Sequence, residues 1–203
     1  MMYLLAHWQR VGGLLGQHVV LVGFALAIAL VIAVPLGVFA TRNARAGAAI
    51  LAVTGTIYTI PSLALLALLV AAIGLGPITA IVALVAYAQM ILVRGVVAGL
   101  RGVDAALVEA ARGLGLTARQ TLLRVEFPAA LAVILGGVRV ATVSLIALAT
   151  VAAWINAGGL GVLLFEGIGT DNPDKIVAGA LAAAVLAIAA DLVLRGAERA
   201  ART

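Results

Sequence analysis

Residues 11–41 read VGGLLGQHVVLVGFALAIALVIAVPLGVFAT and carry no charged side chain. A helix needs about 20 apolar residues to cross a bilayer, so this stretch predicts one span over about 18–41. Outward from it, no charge lies between Arg45 and Arg94. That is too long for one span and right for two. The break falls at Gly74–Pro77, GLGP, a turn signature, giving spans over about 47–73 and 77–99. The stretch after it carries Arg101, Asp104, Glu109, Arg112, Arg119, Arg124 and Glu126, so it must lie in water or against protein. A fourth span follows over about 128–154, interrupted only by Arg139, then a polar, Gly-rich loop over 155–174, then a fifth span over about 175–196. The fold class expected is all-α: a polytopic membrane protein of five helices. A transmembrane barrel is excluded, because the runs are unbroken rather than alternating.

Composition agrees. The chain has 203 residues, 65% hydrophobic and 10% charged, against about 45–50% apolar and about 25% charged in a soluble domain. Disordered chains are polar and charged, so disorder is excluded. With no Cys, so are a disulfide framework and a Cys-ligated metal site. The one Lys, Lys175, follows Asp174, so no G-x-x-x-x-G-K-[ST] phosphate loop exists. No cofactor or metal is expected in this chain.

Lys/Arg bias sets the expected orientation. With the N-terminus outside, the inner segments hold Arg42, Arg45, Arg101, Arg112, Arg119, Arg124, Arg195, Arg199 and Arg202, against Arg10 and Lys175 outside. The net charge of +5 is this bias at work, and since the Arg residues flank spans, no nucleic-acid partner is expected. Residues 1–17 form an interfacial segment: Leu4, Trp8, Val11 and Leu15 share a helical face, with Trp8 as anchor. The first apolar run is far longer than the core of a signal peptide. No repeat, linker or second domain is visible, so residues 1–203 read as one membrane domain.

The inner loop 103–127 has structure of its own. Asp104 is placed to cap a short helix, Gly113 and Gly115 stop it, and Thr117-Ala-Arg-Gln120 is a capping box that opens a second. Pro128 suits the first position of the fourth span. On these residues alone, a loop that merely covers helix ends and a docking element are both open.

The same residues carry a resemblance. Glu109-Ala110-Ala111, then Gly115, then Val125, Phe127 and Pro128 resemble the EAA motif of ABC-importer permeases, E-A-A-x3-G-x9-I-x-L-P, with Val for Ile and Phe for Leu. TIPSLALLALL at Thr59–Leu69, GVRVATV at Gly137–Val143 and NAGGLGVLLFEGIGTDNPDKIVAGA at Asn156–Ala180 resemble the osmoprotectant branch, which imports glycine betaine, choline, carnitine and related quaternary amines. The resemblance implies a permease subunit of the cytoplasmic (inner) membrane. It implies coupling helices that dock on ATP-binding cassette subunits through Glu109, Ala110, Ala111 and Gly115, with ATP bound by that partner. It further implies a second permease copy or paralogue, and an extracytoplasmic solute-binding protein that delivers substrate.

Several polar residues lie within the spans. Pro61 sits near the middle of the second, among Thr54, Thr56, Tyr58, Thr59 and Ser62. It reads either as a packed kink or as a bend lining a pathway or gate, for which Tyr58, Pro61, Ser62 and Tyr87 are the candidates. Gln89 lies at a depth similar to Tyr87. Tyr faces attract quaternary ammonium groups, yet so few aromatics make a tight cage in this chain a poor expectation. Arg139 at mid-span would cost about 3 kcal/mol or more unpaired. Asp191 is its candidate partner, although Asp191 could equally pair with Arg195 one turn on. Gly95 and Gly99 form a GxxxG suited to close helix packing. His7 and His18 lack metal-ligand spacing and read as interfacial residues.

Three other readings compete. An importer permease for methionine, an oxyanion or a sulfonate differs only in substrate. An intramembrane enzyme lacks support, for no H-E-x-x-H or paired intramembrane Asp stands out. A partner-free carrier or channel would have no use for the EAA loop.

Overall fold

The computed structural model describes residue 3 and residues 6–201. The described residues form helices and connecting turns, with no strand. Helix α1 is Trp8–Arg42, α2 Ala44–Thr59, α3 Ser62–Ile73, α4 Pro77–Arg101, α5 Ala105–Gly113, α6 Ala118–Thr121, α7 Phe127–Ala152, α8 Gly161–Gly169 and α9 Pro173–Ala200. Four helical stretches are long and apolar enough to cross a membrane, and the bent pair α2–α3 supplies a fifth when taken as one.

Helix α4 is the centre of the bundle, packed between α1 and α7, while α9 lies on α7 and α8. Small residues permit the approach. A Cβ on Gly95 would stand 3.2 Å from the Cα of Gly137, and one on Gly99 would stand 3.0 Å from the Ala130 carbonyl. The GxxxG of α4 therefore packs against the backbone of α7. Val96, Leu100, Ala130 and Ile134 pack around this contact, and Ala25, Ala29, Ala33, Ala80 and Ala141 belong to the larger core beside it.

The structure differs from the sequence reading at four places. The segment 47–73 is not one continuous helix: α2 and α3 meet at 96°. Pro61 forces Ile60 into extended backbone (ψ 129°), and with no N–H of its own it cannot continue the helical ladder. The segment 155–174 is not all loop. Gly161 and Gly167 lie inside α8 because Thr150 and Ile176 leave no room for a side chain; they are close contacts rather than helix breakers. Residues 8–17 are not a separate interfacial helix, since α1 runs unbroken from Trp8; Leu4 lies outside the described residues. Finally, the second loop helix does not stop before Pro128. From α6 the chain passes through a π-helical turn, Leu122–Glu126, straight into α7. The Phe127 N–H reaches back to the Leu122 carbonyl, and this wider turn absorbs the proline without a break.

The irregular segments gather at two ends of the bundle. One carries residues 102–126, the other the turn 74–77 and residues 153–172.

Candidate functional site

The first candidate group lies at the α2–α3 break. The Tyr87 hydroxyl, from α4, donates to the Ile60 carbonyl that the proline leaves without a helical partner. The Tyr58 and Tyr87 rings meet edge to face with centroids 6.0 Å apart. Ser62 and Tyr87 line a crevice of only 10 Å³, about the room one water needs. Tyr58, Pro61, Ser62 and Tyr87 thus stand together, with no space for a solute between them. Gln89 points elsewhere: its amide donates to the Ala29 carbonyl of α1 at 3.3 Å, tying two core helices.

The second group joins α7 to α9. Arg139 Nε stands 2.6 Å from Asp191 Oδ1, an ion pair without hydrogen-bond geometry, and Nη1 donates to Glu198 Oε2 at 2.8 Å. Asp191 also faces Arg195 at 3.4 Å. Both partners that the sequence offered Asp191 are therefore engaged at once. Glu198 was missed because the fifth span was ended at residue 196. The signal was present: residues seven apart return to nearly the same helix face, which places Glu198 in line with Asp191.

The third group is the loop surface. Asp104 caps α5 through the Ala106 N–H at 2.9 Å, and Thr117 and Gln120 close the capping box. Glu109 and Ala110 are exposed on α5, whereas Ala111 is 4% exposed and faces the protein's own body. Gly115 has φ +81° with open space where a Cβ would stand, so its need is conformational. Leu107 is exposed, and beside Gly115 Leu114 is 82% exposed, an apolar tip on a loop rich in Arg. Behind the loop the buried Glu126 accepts from Arg42 at 2.5 Å, fastening the π-helical turn to the end of α1.

His18 was expected at an interface and is 0% exposed. Its Nε2 donates to the Ile146 carbonyl of α7 at 3.1 Å, and its Nδ1 accepts from the Leu160 N–H at 3.2 Å. Among the described residues no group of three His, Asp or Glu is placed to hold a metal ion.

Residues 33–203 match the family of binding-protein-dependent transport system inner membrane components. The chain belongs to this family. Relatives in the family include the choline transport system permease protein OpuBB of Bacillus subtilis, 39% identical over 90% of this chain and 84% of that protein. The carnitine transport permease protein OpuCB of Listeria monocytogenes is 38% identical over 88% and 82%. The osmoprotectant import permease protein OsmW of Salmonella typhimurium is 38% identical over 95% and 92%. Among solved structures, an inward-facing form of the MetNI methionine ABC transporter shares the fold, with a TM-score of 0.85 and 22% identity over 96% of each chain. Like other members of this permease family, the chain is a multi-pass protein of the inner membrane.

Proposed function

We propose that this chain is the permease subunit of an ATP-driven importer of quaternary-amine osmoprotectants of the glycine betaine, choline and carnitine type. The observation that carries this reading is the set of relatives named for these solutes, each aligned over most of both chains. Two permease subunits would enclose the path. ATP-binding cassette subunits would hold and hydrolyse ATP against the 103–127 surface, through Glu109, Ala110 and Gly115 with Ala111 packed behind them. A solute-binding protein would deliver substrate at the opposite end. The N-terminus would lie outside and the C-terminus inside, as the Lys/Arg bias requires. The group Tyr58, Pro61, Ser62 and Tyr87 would be a gate, too narrow in this conformation for a solute, and Arg139 with Asp191 and Glu198 an intramembrane ion network.

The test is uptake in proteoliposomes that hold the permease, its ATPase subunit and its binding protein. ATP-dependent accumulation of glycine betaine or choline, but not methionine, is expected. Accumulation of methionine alone would replace the substrate assignment. Orientation is checked by single Cys variants, clean in a chain with no native Cys. A Cys at Thr117 should resist an impermeant reagent in intact cells and one at Thr170 should react; the reverse pattern would invert the topology.

A further inference from the structure

Tyr87, Ile91, Arg94, Ala98 and Arg101 recur along α4 at alternating steps of four and three, which stacks them in one line on the helix. Contacts fix the flanks of this line. Met90 turns toward α2, its Sδ 3.8 Å from the Thr54 hydroxyl, and Gly95 meets Gly137 of α7. The line therefore faces the groove between α2 and α7. The groove is closed at Tyr87, which is buried, and at Ile91, which lines a crevice with Tyr58, Tyr87 and Ser144. From Arg94 onward it is open: Arg94, Ala98 and Arg101 are all exposed. Arg94 thus stands two turns, about 10 Å, beyond Tyr87 toward the 102–126 end. Among the described residues no ion pair engages Arg94. The helices packed most closely on α4, which are α1, α2, α3 and α7, contain no Asp or Glu. Arg139 of α7 is turned away, toward Asp191 and Glu198 of α9, and Arg101 at the mouth of the groove shares a pocket with Glu109. Inside the span this face of α4 therefore carries one charge, an uncompensated cation.

An unpaired Arg is costly against lipid and far less so on the wall of a water-filled path. Fixed there, it raises the energy of any net-positive ion that passes and leaves a net-neutral solute nearly unaffected. We propose that Arg94 is a charge filter on the 102–126 side of the Tyr58–Tyr87 gate, which slows net-positive solutes and excludes inorganic cations while the gate is open. This rests on the importer and gate reading above and adds to it a specificity-determining residue. Glycine betaine, with no net charge, crosses the filter freely, whereas choline, a bare cation, is held back.

The experiment uses the full complex in proteoliposomes, with the binding protein saturated by radiolabelled glycine betaine or by choline, so that the binding protein's own affinity drops out. Arg94→Met should raise the ratio of choline to glycine betaine uptake at least about fivefold, because only choline meets the barrier. Arg94→Lys, which keeps the charge, should stay within about twofold of the native ratio. Arg94→Gln serves in place of Arg94→Met if that variant fails to assemble. A second arm follows radiolabelled rubidium entering the same vesicles while ATP is hydrolysed: Arg94→Met should raise this leak at least about fivefold and Arg94→Lys should not. An Arg94 that serves only packing, or that reaches the lipid headgroups, would change both uptakes alike. An unchanged uptake ratio in Arg94→Met, a native rubidium leak there, or equal effects of the Met and Lys variants would each overturn the proposal. A native complex that moves neither amine would overturn the substrate reading, and the rubidium arm would still decide this one.

Discussion

Pro61 and Pro128 both interrupt apolar helical sequence, and the chain answers them in opposite ways. At Pro61 the helix stops and turns by 96°, and a side chain from another helix, Tyr87, takes up the stranded Ile60 carbonyl. At Pro128 the helix widens for one π-helical turn and continues, so that residues 118–155 form one rod of 38 residues, about 57 Å long at 1.5 Å per residue. The difference lies in what satisfies the freed backbone groups: a distant tyrosine in one case, a wider ladder of the same helix in the other. The first arrangement can come apart when α2 and α4 separate. The second would transmit displacement, because one end of the rod belongs to the 103–127 loop and the other reaches the 153–172 end. On the proposed function, a gate and a lever would thus be built from the same residue type.

The contrast can be broken in stages. The lever is held to α9 by Arg139, so the largest loss of stability is expected there. Arg139→Leu should cost about 3 kcal/mol, since it takes away the cation that Asp191 and Glu198 share, while removing all three charges should recover part of the loss. Thermal unfolding in detergent reads this, and strictly additive losses would show that the three do not interact. Next is the gate. Pro61→Ala and Tyr58→Ala should each reduce glycine betaine uptake about tenfold, or about 1.4 kcal/mol in the rate-limiting step, with Leu65→Ala near native at matched expression. Equal losses across the three would reduce the cluster to packing. Tyr87→Phe should cost about 1 kcal/mol of stability, because it removes the one donor to the Ile60 carbonyl. The smallest effect belongs to Pro128→Ala, expected within about 0.5 kcal/mol of native. A loss there as large as at Pro61 would erase the distinction between the two prolines.

Much of this was legible in the sequence, and the exceptions have a common cause. The spans, the GLGP turn, the Asp104 cap and the Thr117–Gln120 box depend on residues within a few positions of one another, and they were readable for that reason. Arg139 called for a carboxylate because burying it alone is costly, and Asp191 stood at a suitable depth. What was hidden depends on distant partners. His18 read as interfacial because its bonding partners lie 128 and 142 residues away. Gly161 and Gly167 read as loop because the Thr150 carbonyl and Ile176 that exclude a side chain there cannot be seen locally. Ala111 read as part of a docking face by its place in a motif, yet helical periodicity turns it inward while Ala110 and Leu114 stay outside.

The central claim is that the 103–127 loop couples ATP hydrolysis in a partner to movement of the rod and the gate. Gly115→Val tests it most directly. The residue holds φ +81° with open space around it, so a β-branched side chain strains the turn between α5 and α6 without colliding with the core. Reconstituted with its ATPase subunit and binding protein, the variant should insert and fold normally, while binding-protein-stimulated ATP hydrolysis and glycine betaine uptake fall together by about tenfold. Native uptake and native stimulation of hydrolysis in Gly115→Val would contradict the account.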